Sequence, residues 1–231
     1  MVVISATLFS KFFSPDACDR CLWLRHHAKL PYQSFPGCFS TLDRAGKSLL
    51  SIWVDCGKTP PWLEKYGTIK ALIKPPHWSK FSFERGGLKV RGEADAIALL
   101  ESGKLLIPDL KTAVFSDAQE SILPVYAGQL NCYALAAEAQ GVGEVGQLVI
   151  VYCQPSAVVR RETFGDAHYS VDFSILPMAV HRNDERVYEM CDRVSALLEG
   201  PLPSPGQTCK ECHIVEEFVN TFFNTIQGES Q

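Results

Sequence analysis

Two Cys-x-x-Cys pairs, Cys18 with Cys21 and Cys209 with Cys212, stand near opposite ends of a chain of 231 residues. Each pair offers two thiolates. Together they form a complete set for Zn²⁺ or for a 4Fe–4S cluster, both of which accept four thiolates. If the pairs share one site, the two ends of the chain must meet. Closing so long a loop costs little more than closing a short one, because the penalty grows with the logarithm of length. Val2-Val3-Ile4 is followed by polar residues rather than by a long apolar run, so no secretory leader is expected. No stretch approaches the length of a membrane span. A cytoplasmic setting is expected, where structural disulfides are rare and paired cysteines bind metal. Neither pair follows the strand pattern of a thioredoxin-like redox site. Cys132 and Cys153 lie in apolar runs and read as small core residues, while Cys38, Cys56 and Cys191 carry no assignment.

The length suits one domain over 1–231 with a substantial core. Hydrophobic residues at 46% and charged residues at 21% fit a globular chain, and a net charge of −4 argues against whole-surface affinity for nucleic acid. Periodicity predicts helices over 6–13, 16–28, 42–56, 124–140, 184–199 and 215–226, and strands over 80–83, 90–100, 104–113, 146–153 and 169–177. This order predicts an α/β fold with a mixed central sheet flanked by helices. Pro201 to Gly206 reads as a loop that delivers Cys209 and Cys212.

The chemistry concentrates in Gly92-Glu93-Ala94-Asp95 and Ile107-Pro108-Asp109-Leu110-Lys111. Strand alternation turns Asp109 and Lys111 the same way, and likewise Glu93 and Asp95. If the two expected strands pair through the turn at Glu101-Ser102-Gly103, Asp95, Asp109 and Lys111 converge. Two carboxylates on a rigid edge suit a hard divalent cation, and a neighbouring lysine can orient water or neutralise phosphate charge. An Asp-x-Lys alone is as consistent with ordinary surface charge. Gln129 and Tyr133, four apart in an expected helix, share a face and offer hydrogen bonds to a phosphate or to the lysine. Upstream, Lys80, Arg85, Lys89 and Arg91 are interleaved with Trp78, Phe81 and Phe83. The cations can neutralise phosphates while the rings stack on unpaired bases; equally, the rings can fill the core beneath a solvated face. The histidines show no metal spacing, although His213 directly follows Cys212.

In their order, Gly92-x-x-Asp95, Asp109-x-Lys111 and Gln129-x-x-x-Tyr133 resemble the PD-(D/E)XK nuclease superfamily, in its RecB-type branch, and are similar to the iron–sulfur exonucleases associated with helicases and with CRISPR adaptation. The resemblance extends to Phe13-Ser14-Pro15-Asp16-Ala17-Cys18-Asp19-Arg20-Cys21 and to Cys209-Lys210-Glu211-Cys212, and so covers most of the chain. It implies a restriction-endonuclease-like α/β fold with its termini joined at the four cysteines. It implies a metal-dependent DNA nuclease, an exonuclease acting on single strands or free ends. Asp95 and Asp109, with the Leu110 carbonyl, are then ligands of Mg²⁺ or Mn²⁺. Lys111 is the catalytic lysine, and Gln129 and Tyr133 support the lysine or the DNA backbone. The resemblance favours 4Fe–4S over Zn²⁺ at Cys18, Cys21, Cys209 and Cys212, although such relatives place one cysteine before the core and three after it. It further implies a helicase, repair or CRISPR partner, and no membrane. The chain departs from the pattern at Leu42 to Ser48, which holds no histidine; Asp43 is the acidic candidate there. Two other classes fit less of the sequence: a non-catalytic nucleic-acid-binding module of the same fold, and a redox or metal sensor built on the cysteines.

Overall fold

The computed structural model describes residues 1–28, 37–116, 122–156 and 170–228, with side chains up to 221. Among the described residues, eight strands form two sheets. The smaller has the order β1-β4-β3, from β1 (Val2–Ser5), β3 (Ser82–Arg85) and β4 (Leu88–Arg91). The larger has the order β2-β5-β6-β7-β8, from β2 (Ile69–Ile73), β5 (Ile97–Leu100), β6 (Leu105–Lys111), β7 (Val145–Pro155) and β8 (Phe173–Val180). Six α-helices accompany them: α1 (Ala6–Ser10), α2 (Asp19–His27), α3 (Gly37–Asp55), α4 (Leu123–Ala139), α5 (Asp184–Glu199) and α6 (Lys210–Gly228). The expected mixed sheet flanked by helices is present. The strand expected over 169–177 appears as β8, and its first expected residue, Tyr169, lies outside the described residues.

Alternation along the central strands explains the layering. Leu105, Ile107, Leu148, Ile150 and Tyr152 face a first core with Phe9, Phe81, Val90, Leu130 and Ala134. Leu106, Val149 and Val151 face a second core with Leu50 and Leu63. Successive side chains of β6 and β7 thus point to opposite faces, and both faces are covered, as a parallel pair requires. The β6–β7 pair is parallel, and α4 is the crossover between its strands. Pro124 sits in the first turn of α4, where its missing N–H costs nothing. Gly141, at φ 68°, lies just past the last turn in the left-handed region. Positions 128–137 of α4 are all buried. Truncation there, such as Leu130→Ala, is expected to cost about 2–5 kcal/mol.

The run over 90–100 is not one strand. β4 ends at Arg91 in the small sheet, and β5 begins at Ile97 in the large one. Glu93 and Asp95 therefore sit on the connection between sheets, not on a shared strand face. Gly92 N–H donates to the Phe81 carbonyl at 3.0 Å, and buried Ala94 anchors the crossing. The apolar spacing from Val90 to Leu100 reads as continuous because both flanking strands and this anchor are buried.

Candidate active site and cysteine cluster

β6 carries the chemistry where its pairing changes. β5 pairs with β6 only at Leu105 and Leu106, so beyond that point one edge of β6 has no strand beside it. Pro108, which has no N–H to give, falls on this stretch while still paired with β7 on the other side. Two residues on, the Leu110 N–H faces the same edge and donates to Asp95 Oδ2 at 2.9 Å. The carboxylate from the sheet-to-sheet connection thus replaces a ladder partner, which fixes Asp95 beside Asp109.

Asp109 is 2% exposed, and its Oδ2 lies 2.7 Å from Lys111 Nζ. The Lys111 ammonium is the countercharge of this buried carboxylate. Burial pushes the Asp109 carboxyl up to about 6, against the pull of Lys111 and with the push of Asp95. The Lys111 ammonium donates to Gln129 Oε1 at 3.4 Å and lies 4.7 Å from the Tyr126 ring centre. Gln129 Nε2 in turn donates to the Tyr133 hydroxyl at 2.7 Å. Burial raises the Tyr133 hydroxyl well above its ordinary value, so it stays protonated. Gly92 allows this packing: a Cβ there would lie 2.6 Å from the Tyr133 ring.

Asp95, Asp109, Leu110, Lys111, Gln129 and Tyr133 all line one cleft of about 490 Å³. Asp43 of α3 lines it too, in the segment without a histidine. The sequence reading did not single out Lys47. Its Nζ stands 2.8 Å from Asp43 Oδ2 and 2.8 Å from Asp95 Oδ1. Burial opposes the Lys47 charge, but the two carboxylates outweigh it and hold the ammonium above the usual lysine range. The only sequence signal for it is the i,i+4 spacing from Asp43, which is common on exposed helix faces. The donor set fits a hard divalent cation: carboxylate oxygens of Asp95 and Asp109 converge on one cleft, and each already faces an ammonium.

The basic segment divides. Phe81 and Phe83 fill the first core. Trp78 is 44% exposed, with the Arg91 guanidinium 4.6 Å from its ring centre. Arg85 stacks on Tyr188 at 4.7 Å, Lys89 pairs with Glu84 at 2.9 Å, and Lys80 is exposed.

Across the molecule, α2 and the start of α6 bring the four cysteines together. Their sulfurs all lie within 4.8 Å of one another, with Cys18–Cys212 at 3.6 Å, Cys21–Cys209 at 3.5 Å and Cys21–Cys212 at 3.4 Å. Burial raises the Cys18 thiol, but the backbone N–H groups of Cys21 and Gly206 outweigh it and bring it to about 7. Gly206 has no side chain where one would press on Cys18 Sγ at 3.2 Å, leaving a cradle for the thiolate. The set fits a tetrahedral thiolate-bound metal, since Zn–S bonds of about 2.3 Å place sulfurs about 3.8 Å apart. Cys132, Cys153 and Cys191 are buried apart from this group, and exposed His213 bonds the Gln207 carbonyl at 3.1 Å. Among the described residues, no helix is long and apolar enough to cross a membrane.

The chain is similar to the solved crystal structure of SSO0001, with 14% identity over 87% of this chain and 79% of that one, at a TM-score of 0.45. No curated protein matches it. The family model described as the PD-(D/E)XK nuclease superfamily matches residues 56–216, a span that takes in Asp95, Asp109, Lys111, Gln129 and Tyr133. With well over half of its residues and the core of its cleft inside that match, the chain belongs to the PD-(D/E)XK nuclease superfamily.

Proposed function

We propose that this protein is a divalent-cation-dependent deoxyribonuclease of the RecB-type branch. It acts as one domain and hydrolyses phosphodiester bonds at free ends or in single strands, in a reducing, cytoplasmic setting and alongside a helicase, repair or CRISPR-adaptation partner. One observation carries this reading: Asp95, Asp109 and Lys111 meet in one cleft, with Gln129 holding the lysine. Asp95 and Asp109, helped by the Leu110 carbonyl, would hold Mg²⁺ or Mn²⁺. Such an ion supplies positive charge to the phosphate and lowers the pKa of water. Lys111 presents its ammonium to the attacking water and the phosphate oxygens. Gln129 fixes the lysine and Tyr133 fixes Gln129, so the donors are set before substrate arrives. Arg91, Lys80, Arg85 and Lys89 would supply cations to the DNA backbone, and Trp78 an exposed ring for a base.

At the cysteines, the sulfur spacing favours a single Zn²⁺ ion over 4Fe–4S, whose four irons would hold the thiolates further apart. The role assigned to either is to tie the two ends of the chain together.

The test is cleavage of end-labelled single-stranded, double-stranded and circular DNA with Mg²⁺ or Mn²⁺, beside Asp109→Asn. Metal-dependent shortening from ends, lost in the variant, is expected. Metal-dependent binding without cleavage would instead leave the non-catalytic module. Elemental analysis and an absorption spectrum of anaerobically purified protein separate zinc from iron–sulfur.

A further inference from the structure

The Lys47 ammonium stands between Asp43 and Asp95, bridging two carboxylates of the cleft. It touches one oxygen of each at 2.8 Å. Asp95 already spends its other oxygen on the Leu110 N–H, so Oδ1 is its outward-facing ligand atom, and Lys47 covers it. The lysine reaches there from α3, one turn after Asp43, on a flexible four-carbon stem that is half-buried. Lys111, the other ammonium of the cleft, is held differently, between Asp109 and Gln129.

We propose that Lys47 is a resident counter-cation that competes with the divalent metal for Asp43 and Asp95. The inference rests on the metal-dependent reading of the cleft. An ammonium in contact with Asp43 Oδ2 and Asp95 Oδ1 repels a divalent cation arriving at those same oxygens, so metal binding there is opposed until Lys47 swings out. Until then the ammonium keeps both carboxylates aimed at one point and offsets their mutual repulsion. Once displaced, it remains tethered at the cleft mouth as a cation available to a phosphate. Nucleic acid and metal then favour each other: a phosphate that draws Lys47 away frees Asp95, and a metal that ejects Lys47 leaves it seeking an anion.

Calorimetric titration with Mn²⁺ alone tests this on the full chain, with melting temperatures recorded to verify folding. Lys47→Met is expected to bind Mn²⁺ about tenfold more tightly than the wild type, and Lys47→Arg no more tightly. Should the Met variant fail to fold, Lys47→Gln carries the same expectation. Asp109→Asn identifies the cleft signal by abolishing it. If a neutral variant binds Mn²⁺ no better than the wild type while Asp109→Asn loses binding, the metal site stands and the competition is overturned. If neither the wild type nor a neutral variant binds Mn²⁺, the metal-dependent reading falls with it. Added non-cleavable single-stranded DNA should raise wild-type Mn²⁺ affinity more than that of Lys47→Met; an equal rise in both overturns the coupling.

Discussion

The cysteine cluster and the carboxylate cleft each gather anionic ligands from distant parts of the chain, yet they are built to opposite ends. The cluster is closed: four soft donors from α2, α6 and the residues just before them surround one point, with Arg20 and Arg25 lining a pocket beside two of them. The cleft is open: hard oxygens from α3, the sheet connection and β6 line a wide space, with two lysines standing against them. A closed set of four thiolates would depend on a bound metal to fold. An open set with internal cations folds without one and takes the metal as a reagent. The same electrostatic problem would thus be met by a bound ion in one region and is met by side chains in the other.

The largest expected effect comes from the closed site. Cys18→Ser should release the bound metal and lower the melting temperature by about 10 °C or more, with proteolysis increasing at both ends together. Unchanged metal content and melting would break the contrast at its root. Next, Asp109→Asn should weaken Mn²⁺ binding in the cleft by about a hundredfold or more and abolish cleavage, while the cysteine-bound metal stays stoichiometric. Loss of both metals would show the regions to be coupled. Lys111→Ala should slow turnover by about a thousandfold yet leave Mn²⁺ affinity within a few-fold, measured by calorimetry beside a cleavage assay. Equal losses would recast Lys111 as a scaffold of the site.

Acidity sharpens the comparison further. Burial pushes the Asp109 carboxyl up to about 6, and only an ionised carboxylate would ligate a cation there, so Mn²⁺ affinity should fall by up to about tenfold per pH unit below that value. The folded chain holds this proton more tightly than the unfolded chain does. With the cleft free of metal, the Asp109 contribution should therefore lower the melting temperature as pH rises from about 4 to about 6. The effect should vanish in Asp109→Asn. The smallest effect is expected outside both regions: Trp78→Ala should reduce single-stranded DNA affinity about tenfold without moving either metal. An unchanged affinity would confine Trp78 to its contacts with Arg91 and His77.

The cleft was legible where side-chain direction follows from period. Asp109 and Lys111 are two apart on a strand, and Gln129 and Tyr133 four apart on a helix, so their meeting is implied by local geometry. The cysteines were legible because paired spacing carries its own chemistry. Asp95 was placed near the right neighbours for the wrong reason, because the split between β4 and β5 leaves no gap in the apolar pattern. β1 and β2 were missed because each is short and only partly buried, so neither shows a clean alternation. Lys47 was invisible because an i,i+4 pair says nothing about a third carboxylate brought in by another sheet.

The pairing of Cys18 and Cys21 with Cys209 and Cys212 also sets an order in time. During synthesis, Asp43, Asp95, Asp109, Lys111, Gln129 and Tyr133 all leave the ribosome before Cys209 exists. A nascent chain can therefore assemble its cleft while it still carries only half of the thiolate set. Two thiolates hold a soft ion far less tightly than four, so firm capture has to await translation through Cys212. A metal bound there would act as a receipt for translation of both cysteine pairs, and a chain stalled before Cys209 would leave α2 unfastened.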